Sequence, residues 1–204
     1  MMPITFAFDH LVYAVPDLDA STRLLEERLG VRVTPGGSHP GRGSKNALVG
    51  MGPRSYLEII GPDPAQPAPN WFGLADLQEP RVVTWAVGDA ALEERVAAAG
   101  GLLGPIAAGS RTRPDGQTLR WRFTDPARLA MDGVVPFFID WVSDAHPAGA
   151  LVAAVSLLEL RLEHPQADEA NRVLRKLGVA AEVHPGAFAR ITVRLSTPRG
   201  EVTL

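Results

Sequence analysis

The chain has 204 residues, enough for one large domain or two small ones with a substantial apolar core. It is 46% apolar and 21% charged, as is typical of globular proteins, and its net charge of −3 does not favour nucleic-acid binding. The absence of cysteine excludes disulfides, thiolate metal sites and cysteine nucleophiles. No apolar run reaches the roughly 18 residues of a membrane span, and the first residues lack a secretory pattern, so we expect a cytoplasmic protein.

The first predicted unit spans residues 6–62 and has the order strand, helix, strand, strand, strand. Phe8 to Val15 is rich in β-forming residues, and Pro16 ends this strand because it has no N–H to contribute to a sheet. Asp17 is a good N-cap and Gly30 a good C-cap for the amphipathic helix between them. Three further strands are predicted at residues 31–34, 46–49 and 55–60.

A polar, glycine-rich segment, residues 35–44, follows the second predicted strand. It has four glycines between residues 36 and 44, and we expect a mobile loop there. The loop is either a flexible surface connection or a lid over a ligand site. In a lid, His39 and the nearby Asn46 are the preferred substrate contacts.

A second unit, residues 82–141, repeats the first after a proline-rich linker over residues 61–81 that we expect to cover a sheet edge. Its predicted parts are a strand, a helix with the apolar stripe Leu92, Val96 and Ala99, a strand at 102–105, a hairpin turning at Pro114-Asp115-Gly116, and a closing strand at 135–141. A third unit, residues 153–204, has a helix with the stripe Ala170, Val173, Leu174 and Leu177 and strands at 181–184, 189–196 and 201–204.

Three consecutive βαβββ units form an internal repeat, which is the most informative feature of the chain. We therefore predict an α+β fold of repeated units with a cupped β-sheet, the first two units within residues 1–147. Residues 148–204 form the third, βαβββ-like unit. A lone unit leaves sheet edges and an apolar face to cover, so it either pads the first two units or pairs across a homodimer axis.

A repeated βαβββ unit with histidine on the first strand and glutamate on the fourth resembles the vicinal oxygen chelate superfamily. That superfamily includes glyoxalase I, extradiol dioxygenases and bleomycin-resistance proteins. The stretches DHLVYAVPDLD, GGSHPGRGSKNAL, YLEII, SRTRPDGQTLRWRF and PFFIDW are similar to the bacterial glyoxalase-like domain family. The resemblance implies that the two units of residues 1–147 pair into a glyoxalase-like, cupped β-sheet barrel with a metal site inside. It also favours a lid for the glycine-rich segment.

The resemblance also implies which residues would bind the metal. The matching positions are His10, Glu58, Val82 and Asp140, of which Val82 has no donor atom. The other three, with water, would suit Zn²⁺, Mn²⁺ or Fe²⁺. Glu58 and Asp140 would also be the catalytic groups, as ligand or base. Shared coordination requires the donor atoms of His10 and Glu58 to lie roughly 3–4.5 Å apart.

Each of these residues also has a structural interpretation. His10 would be a core histidine bonded to Asp9 or to a backbone carbonyl. Glu58 lies in the apolar stretch YLEII, where an unpaired carboxylate is unfavourable, so its partner is a metal, a proton or an arginine. Asp140, between Ile139 and Trp141, allows the same two interpretations.

Arginines alternate along the predicted hairpin of the second unit, so that each pair shares a face. They are Arg111, Arg113, Arg120 and Arg122. They either bind a carboxylate or phosphate of a ligand, or form a solvated outer face and partners for the two acidic residues. We select Arg111, Arg113, Arg120 and Trp121 as substrate-binding candidates.

The leading functional interpretation is a glyoxalase-like lyase, isomerase or dioxygenase. A divalent metal would polarise vicinal oxygens of a small, acidic substrate. The alternative is a metal-free protein that sequesters a small molecule, as bleomycin-resistance proteins do. Val82 favours the alternative, whereas His10 and Glu58 together favour the enzyme. Both imply a small-molecule ligand and no nucleic-acid or membrane partner, and a homodimer is compatible with either.

Overall fold

The computed structural model describes residues 7–112, 116, 118–142 and 145–204. Over these residues the chain forms twelve strands and three α-helices. The elements are β1 (Phe8–Ala14), α1 (Leu18–Leu29), β2 (Thr34–His39), β3 (Ser44–Gly52), β4 (Ser55–Pro62), β5 (Arg81–Gly88), α2 (Leu92–Ala99), β6 (Ile106–Thr112), β7 (Thr118–Thr124), β8 (Phe137–Trp141), β9 (Ser156–His164), α3 (Ala167–Lys176), β10 (Val183–Pro185), β11 (Arg190–Thr197) and β12 (Gly200–Thr203).

The caps predicted for the first helix are confirmed. The Asp17 carboxylate accepts a hydrogen bond from the backbone N–H of Ala20 at 2.9 Å, and Gly30 ends α1 in the left-handed conformation with φ of 70°. Leu18, Leu25 and Leu29 are buried, so the apolar stripe of α1 packs on the sheet. Local capping and the 3.6-residue period together position α1.

Eight strands form one curved sheet in the order β2-β3-β4-β1-β5-β8-β7-β6. The two halves of the sheet have the same arrangement: β1 pairs in parallel with β4 in the first unit, and β5 pairs in parallel with β8 in the second. The halves join at the centre, where β1 and β5 pair antiparallel. Arg111 on edge strand β6 reaches Asn46 beside edge strand β2, so the sheet curves until its two edges nearly meet. The predicted α+β fold with a cupped sheet is confirmed.

Two local predictions were wrong. Residues 34–39 form strand β2, paired with β3, and are not a loop. A Cβ added to Gly36 would lie 1.9 Å from Asn46 Oδ1, so glycine is required there for close approach rather than for flexibility. The strand predicted at 102–105 is also absent from the described residues: Gly100 and Gly101 turn the chain at positive φ, and β6 begins later, at Ile106.

The C-terminal unit has the predicted element order but a different sheet, β10-β9-β11-β12. Its first strand, β9, lies between β10 and β11 instead of pairing with the last strand. Its apolar face packs on the outer face of the barrel, where buried residues of both parts form one cluster: Leu11, Tyr13, Leu57 and Trp85 from the barrel, with Leu174, Val193 and Leu195 from the C-terminal unit. Arg95 of α2 donates to the Leu177 carbonyl at 3.0 Å, and Arg28 of α1 donates to the Thr203 carbonyl.

The concave face of the barrel has its own apolar core, and the linker closes part of it. Trp71 and Phe72 of the linker are buried against Phe123 and Phe137 of the second half. The linker therefore covers the inside of the sheet rather than an edge. None of the helices in the described part of the chain is long and apolar enough to cross a membrane.

Candidate active site

A cavity opens on the concave face where the two halves of the sheet meet. Its lining combines polar groups, His10, His39, Asn46, Glu58 and Arg111, with aromatic walls, Tyr56, Trp71, Phe72, Trp121, Phe123, Phe137 and Trp141. It leaves about 50 Å³ for the centres of water-sized groups. A few convergent polar groups in an aromatic setting are typical of a small-molecule site.

His10 faces into this cavity by strand alternation, in phase with Val12 and Ala14 of the inner apolar cluster, and an irregularity in β1 places Asp9 beside it. The pairing of β1 with β5 shifts register between Phe8 and His10, as a β-bulge does, and Asp9 and His10 come to the same side. The His10 Nδ1–H donates to Asp9 Oδ1 at 2.6 Å, and both side chains are buried. In the neutral ring, Nε2 then carries the lone pair. The structural interpretation of His10, bonded to Asp9, is observed, and it leaves Nε2 free for the functional one, which stays a prediction.

Asp9 is the centre of a network that the sequence analysis did not identify. Its other oxygen, Oδ2, accepts from Trp141 Nε1 and from His146 Nε2, each at 3.0 Å. His146 Nδ1 accepts the Ala148 N–H at 3.1 Å, which leaves the proton of the neutral ring on Nε2. Burial raises the pKa of Asp9, but the hydrogen bonds and charges of His10 and His146 outweigh it and lower the pKa to about 2. Asp9 is thus a carboxylate at neutral pH.

Glu58 faces His10 from the parallel neighbour strand β4. Its Oε2 lies 3.6 Å from His10 Nε2, inside the range required above for two donors of one cation. Its Oε1 accepts from Asn46 Nδ2 at 2.5 Å and lies 3.8 Å from His39 Nε2. Tyr56 stacks on the His10 ring at 4.6 Å between centroids, and burial, followed by the charges of Asp9 and Glu58, raises the pKa of Tyr56 well above its usual value.

The orientation of the Asn46 amide follows from its partners. The Gly37 N–H and the Arg111 guanidinium are donors only and lie 3.0 and 3.3 Å from one amide atom, which must be the oxygen. The amide nitrogen therefore faces Glu58 and His39, and His39 Nε2, at 3.3 Å, accepts. Neutral His39 then has its proton on Nδ1, which donates to Ser44 Oγ at 3.0 Å.

His39 is kept neutral by its surroundings. Burial lowers its pKa; the Glu58 charge opposes this, and the charges of Arg111 and Arg42 reinforce it. The structure thus brings four of the predicted substrate contacts to the cavity wall: His39, Asn46, Arg111 and Trp121.

The other predicted residues lie elsewhere. Asp140 alternates with Ile139 and Trp141, which line the cavity, so its side chain is on the opposite face of β8. Arg120 is exposed and alternates in the same way with Leu119 and Trp121. Arg113 lies outside the described residues.

The residues present do not fit the predicted three-ligand metal site. Val82 belongs to the outer apolar cluster, and Asp140 faces away, which leaves His10 Nε2 and Glu58 Oε2 as facing donors. His39 Nε2 is close, but its lone pair is occupied by the Asn46 amide. In the part of the chain that the structure describes, no three His, Cys, Asp or Glu side chains are grouped to hold a metal ion.

Comparison with known proteins places the chain in a family. A family model described as a glyoxalase-like domain matches residues 8–178. A hypothetical protein from Staphylococcus aureus superimposes with a TM-score of 0.65 at 12% identity, covering 90% of this chain and 87% of that one. This likeness shows a shared fold and carries no function. No curated protein matches the sequence significantly.

Weaker structural matches include two methylmalonyl-CoA epimerases. A variant of the Streptomyces coelicolor enzyme, in complex with 2-nitronate-propionyl-CoA, has a TM-score of 0.47 and 22% identity over 69% of this chain and 100% of that one. The Mycobacterium tuberculosis enzyme has a TM-score of 0.42 and 19% identity over 69% of this chain and 91% of that one. Neither match is close enough to support an argument about activity.

Proposed function

The chain belongs to the glyoxalase-like domain family of the vicinal oxygen chelate superfamily, and we propose that it is an enzyme that moves a proton on a small oxygenated acid. His10 is the proton acceptor in this proposal. A carbon-bound proton next to a carbonyl passes to Nε2, and the bonding electrons stay on the substrate as an enolate. Return of a proton to the enolate gives the product.

The observation that carries the proposal is the position of the His10 ring between two carboxylates. Asp9 accepts from Nδ1 at 2.6 Å, which orients the ring and leaves the basic Nε2 facing the cavity. Glu58 Oε2 lies 3.6 Å from that nitrogen. The imidazolium formed by proton transfer would have a carboxylate on each side, which is the arrangement that stabilises a general base during catalysis.

Arg111 supports the acidic part of the substrate. Its guanidinium lies beside Asn46 at the cavity wall. Among the described residues that line the cavity, no other lysine or arginine is found. Arginine pairs well with carboxylate and with a developing enolate oxygen. Because the Asn46 nitrogen is directed at Glu58, Asn46 holds the second carboxylate in place and does not itself face the substrate as a donor.

A divalent metal remains part of the family expectation, but the mechanism proposed here does not depend on it. His10 and Glu58 supply two protein donors where sites of this kind use about three. Zn²⁺, Mn²⁺ and Fe²⁺ therefore belong in the test of the proposal.

The test is solvent deuterium exchange, followed by proton NMR, on a panel of small 2-oxo acids. We expect the wild type to exchange the proton next to the carbonyl in the presence of a chelator. The His10→Gln variant should lose at least about 100-fold in rate, the usual contribution of a general base. His184→Gln, a half-buried histidine of the C-terminal unit, is the matched control and should behave as wild type. Exchange that disappears with chelator and returns with one of the three metals would replace this mechanism by a metal-dependent one.

The alternative function, sequestering of a small molecule, is favoured by the presence of only two facing metal donors, His10 and Glu58, among the described residues, and by the aromatic walls of the cavity. It predicts that a panel member binds without any exchange and that His10→Gln binds equally well. Isothermal calorimetry beside the NMR assay separates the two functions.

A further inference from the structure

A second pocket lies against the candidate active site and shares four of its side chains. His39, Trp71, Trp121 and Phe123 line both the inner cavity and an outer pocket between the β2–β3 turn and edge strand β6. The outer pocket is the larger, about 220 Å³ against about 50 Å³ by the same measure. Because they share these side chains, the two spaces lie directly side by side.

The walls of the outer pocket are flat. The Arg42 guanidinium lies 5.0 Å from the Trp71 ring centroid and 5.9 Å from that of Phe123. Its charge is paired with Asp125 at 2.6 Å, so it offers its planar face rather than an anion site. A Cβ at Gly109 would lie 2.5 Å from the Trp121 indole, which shows that this ring packs directly on the strand backbone.

The inner cavity is too small for a whole substrate of ordinary size. Its volume admits roughly four water-sized groups, given the ~10–15 Å³ that each needs. The head of a 2-oxo acid, with its carboxylate, its carbonyl and the carbon whose proton passes to His10, takes up this space, so a larger group on that carbon must extend past the shared side chains. The outer pocket is the neighbouring space, and its indole, phenyl and guanidinium planes match a flat ring.

We propose that the outer pocket is a second subsite of the same ligand, and that the substrate class is a small 2-oxo acid carrying a flat aromatic group. The proposal rests on the proposed function for the placement of the acidic head in the inner cavity. It adds that the aromatic group lies among Trp71, Trp121, Phe123 and Arg42.

Binding, measured by isothermal calorimetry without turnover, tests the subsite. The probes are phenylpyruvate, pyruvate and 3-cyclohexyl-2-oxopropanoate, which share the head and differ in the tail. We expect phenylpyruvate to bind at least about tenfold tighter than pyruvate and several-fold tighter than the cyclohexyl analogue, since aromatic contacts add to simple area burial. Pyruvate should displace phenylpyruvate competitively, because both heads use the inner cavity.

A pair of exposed turn prolines provides matched variants. Pro40 borders the outer pocket, whereas Pro53 lies in the β3–β4 turn away from it. Pro40→Trp should fill the outer pocket and weaken phenylpyruvate at least about tenfold while sparing pyruvate, and Pro53→Trp should change neither.

Three results would overturn the subsite: no preference for phenylpyruvate over pyruvate in the wild type, simultaneous binding of both probes, or equal weakening of both by Pro40→Trp. The wild-type measurements stand even if a variant does not fold. Tight phenylpyruvate binding without deuterium exchange would refute the proposed function and leave the subsite intact. Deuterium exchange on pyruvate, with no tighter binding of phenylpyruvate, would refute the subsite and leave the proposed function intact.

Discussion

Asp9 and Glu58 lie on either side of the His10 ring, and their different partners give them different roles. Asp9 accepts three N–H groups, from His10, Trp141 and His146, and faces no open space. Glu58 is held through one oxygen by Asn46, and its other oxygen faces the cavity. Asp9 is therefore the positioning carboxylate and Glu58 the one that can contact a ligand.

Asp9→Asn should separate positioning from folding. An amide has one oxygen for three N–H donors, so a donor loses its partner or His10 changes tautomer. The deuterium-exchange rate should fall at least about 100-fold. His146→Gln, which keeps an N–H donor, should retain most of the rate, whereas His146→Ala should not. Equal rates for wild type and Asp9→Asn would contradict the positioning role.

The depressed pKa of Asp9 predicts a specific acid sensitivity. The carboxyl has a pKa of about 2 in the folded protein against an ordinary 3.8, so the stabilisation is complete above pH 4 and is lost as the pH falls through 2. Its size is about 2 kcal/mol, at 1.36 kcal/mol per pKa unit. Urea unfolding of the wild type and Asp9→Asn at pH 6, 4, 3 and 2 should show the difference in unfolding free energy shrink between pH 4 and 2. A pH-independent difference would refute this.

Glu58→Gln should leave the fold intact and lower the activity. The amide oxygen can still accept from Asn46, and the amide nitrogen can donate to His10 Nε2, so we expect the free energy of unfolding to change by less than about 1 kcal/mol. The exchange rate should fall at least about tenfold, because the second carboxylate beside the imidazolium is gone. A loss of about 3–5 kcal/mol would instead indicate a broken buried ion pair.

At the scale of single elements, the β2–β3 hairpin positions the polar wall of the cavity. The register places His39 opposite Ser44 and Gly37 opposite Asn46. Gly36 allows the backbone of β2 to approach the Asn46 side chain, which in turn holds Glu58. Of the four glycines that predicted a mobile loop in the sequence, Gly36, Gly37 and Gly43 have close neighbours, whereas a Cβ at Gly41 would meet nothing within 4 Å. Local composition does not distinguish close packing from flexibility.

Gly36→Ala tests this packing. Its Cβ would lie 1.9 Å from Asn46 Oδ1, so we expect a loss of roughly 1–3 kcal/mol in unfolding free energy and weaker ligand binding as Asn46 moves. Gly149→Ala is the control, because a Cβ there meets nothing within 4 Å. Thermal denaturation and calorimetry report the two effects. Unchanged stability in Gly36→Ala would mean that β2 and the Asn46 side chain can move apart in solution without loss of stability.

At the scale of the whole molecule, the barrel and the C-terminal unit share one apolar cluster. We retain the division into residues 1–147 and 148–204 as a proposal about evolutionary units, but expect the two to unfold together because neither buries its share of that cluster alone. All four tryptophans lie in the barrel, at or before residue 141, so tryptophan fluorescence follows the unfolding of the barrel, with Trp85 at its contact with the C-terminal unit.

Leu195→Ala, a change in the C-terminal unit, tests whether the barrel and that unit unfold together. Leu195 is fully buried in the shared cluster, and its truncation should lower stability by about 2–5 kcal/mol. The fluorescence midpoint in urea should fall together with the circular-dichroism midpoint, although the mutation is outside the barrel. Ser196→Ala, the exposed neighbour on β11, should change neither. A fall in circular dichroism without a fall in fluorescence would show independent unfolding.

The sequence alone determined what local physics controls. Caps and apolar periods determined α1, and the repeat of strand, helix and strands predicted the matching halves of the sheet. Motifs that resemble a known family pointed to His10 and Glu58, which the structure brings to one cavity with His39, Asn46, Arg111 and Trp121. Tertiary structure decided the rest. The bulge at Asp9 brings its carboxylate to His10 Nδ1, which sets the tautomer of His10, and the distant Trp141 and His146 hold that carboxylate. These depend on register and on contacts between residues more than a hundred positions apart, and no local pattern carries that information.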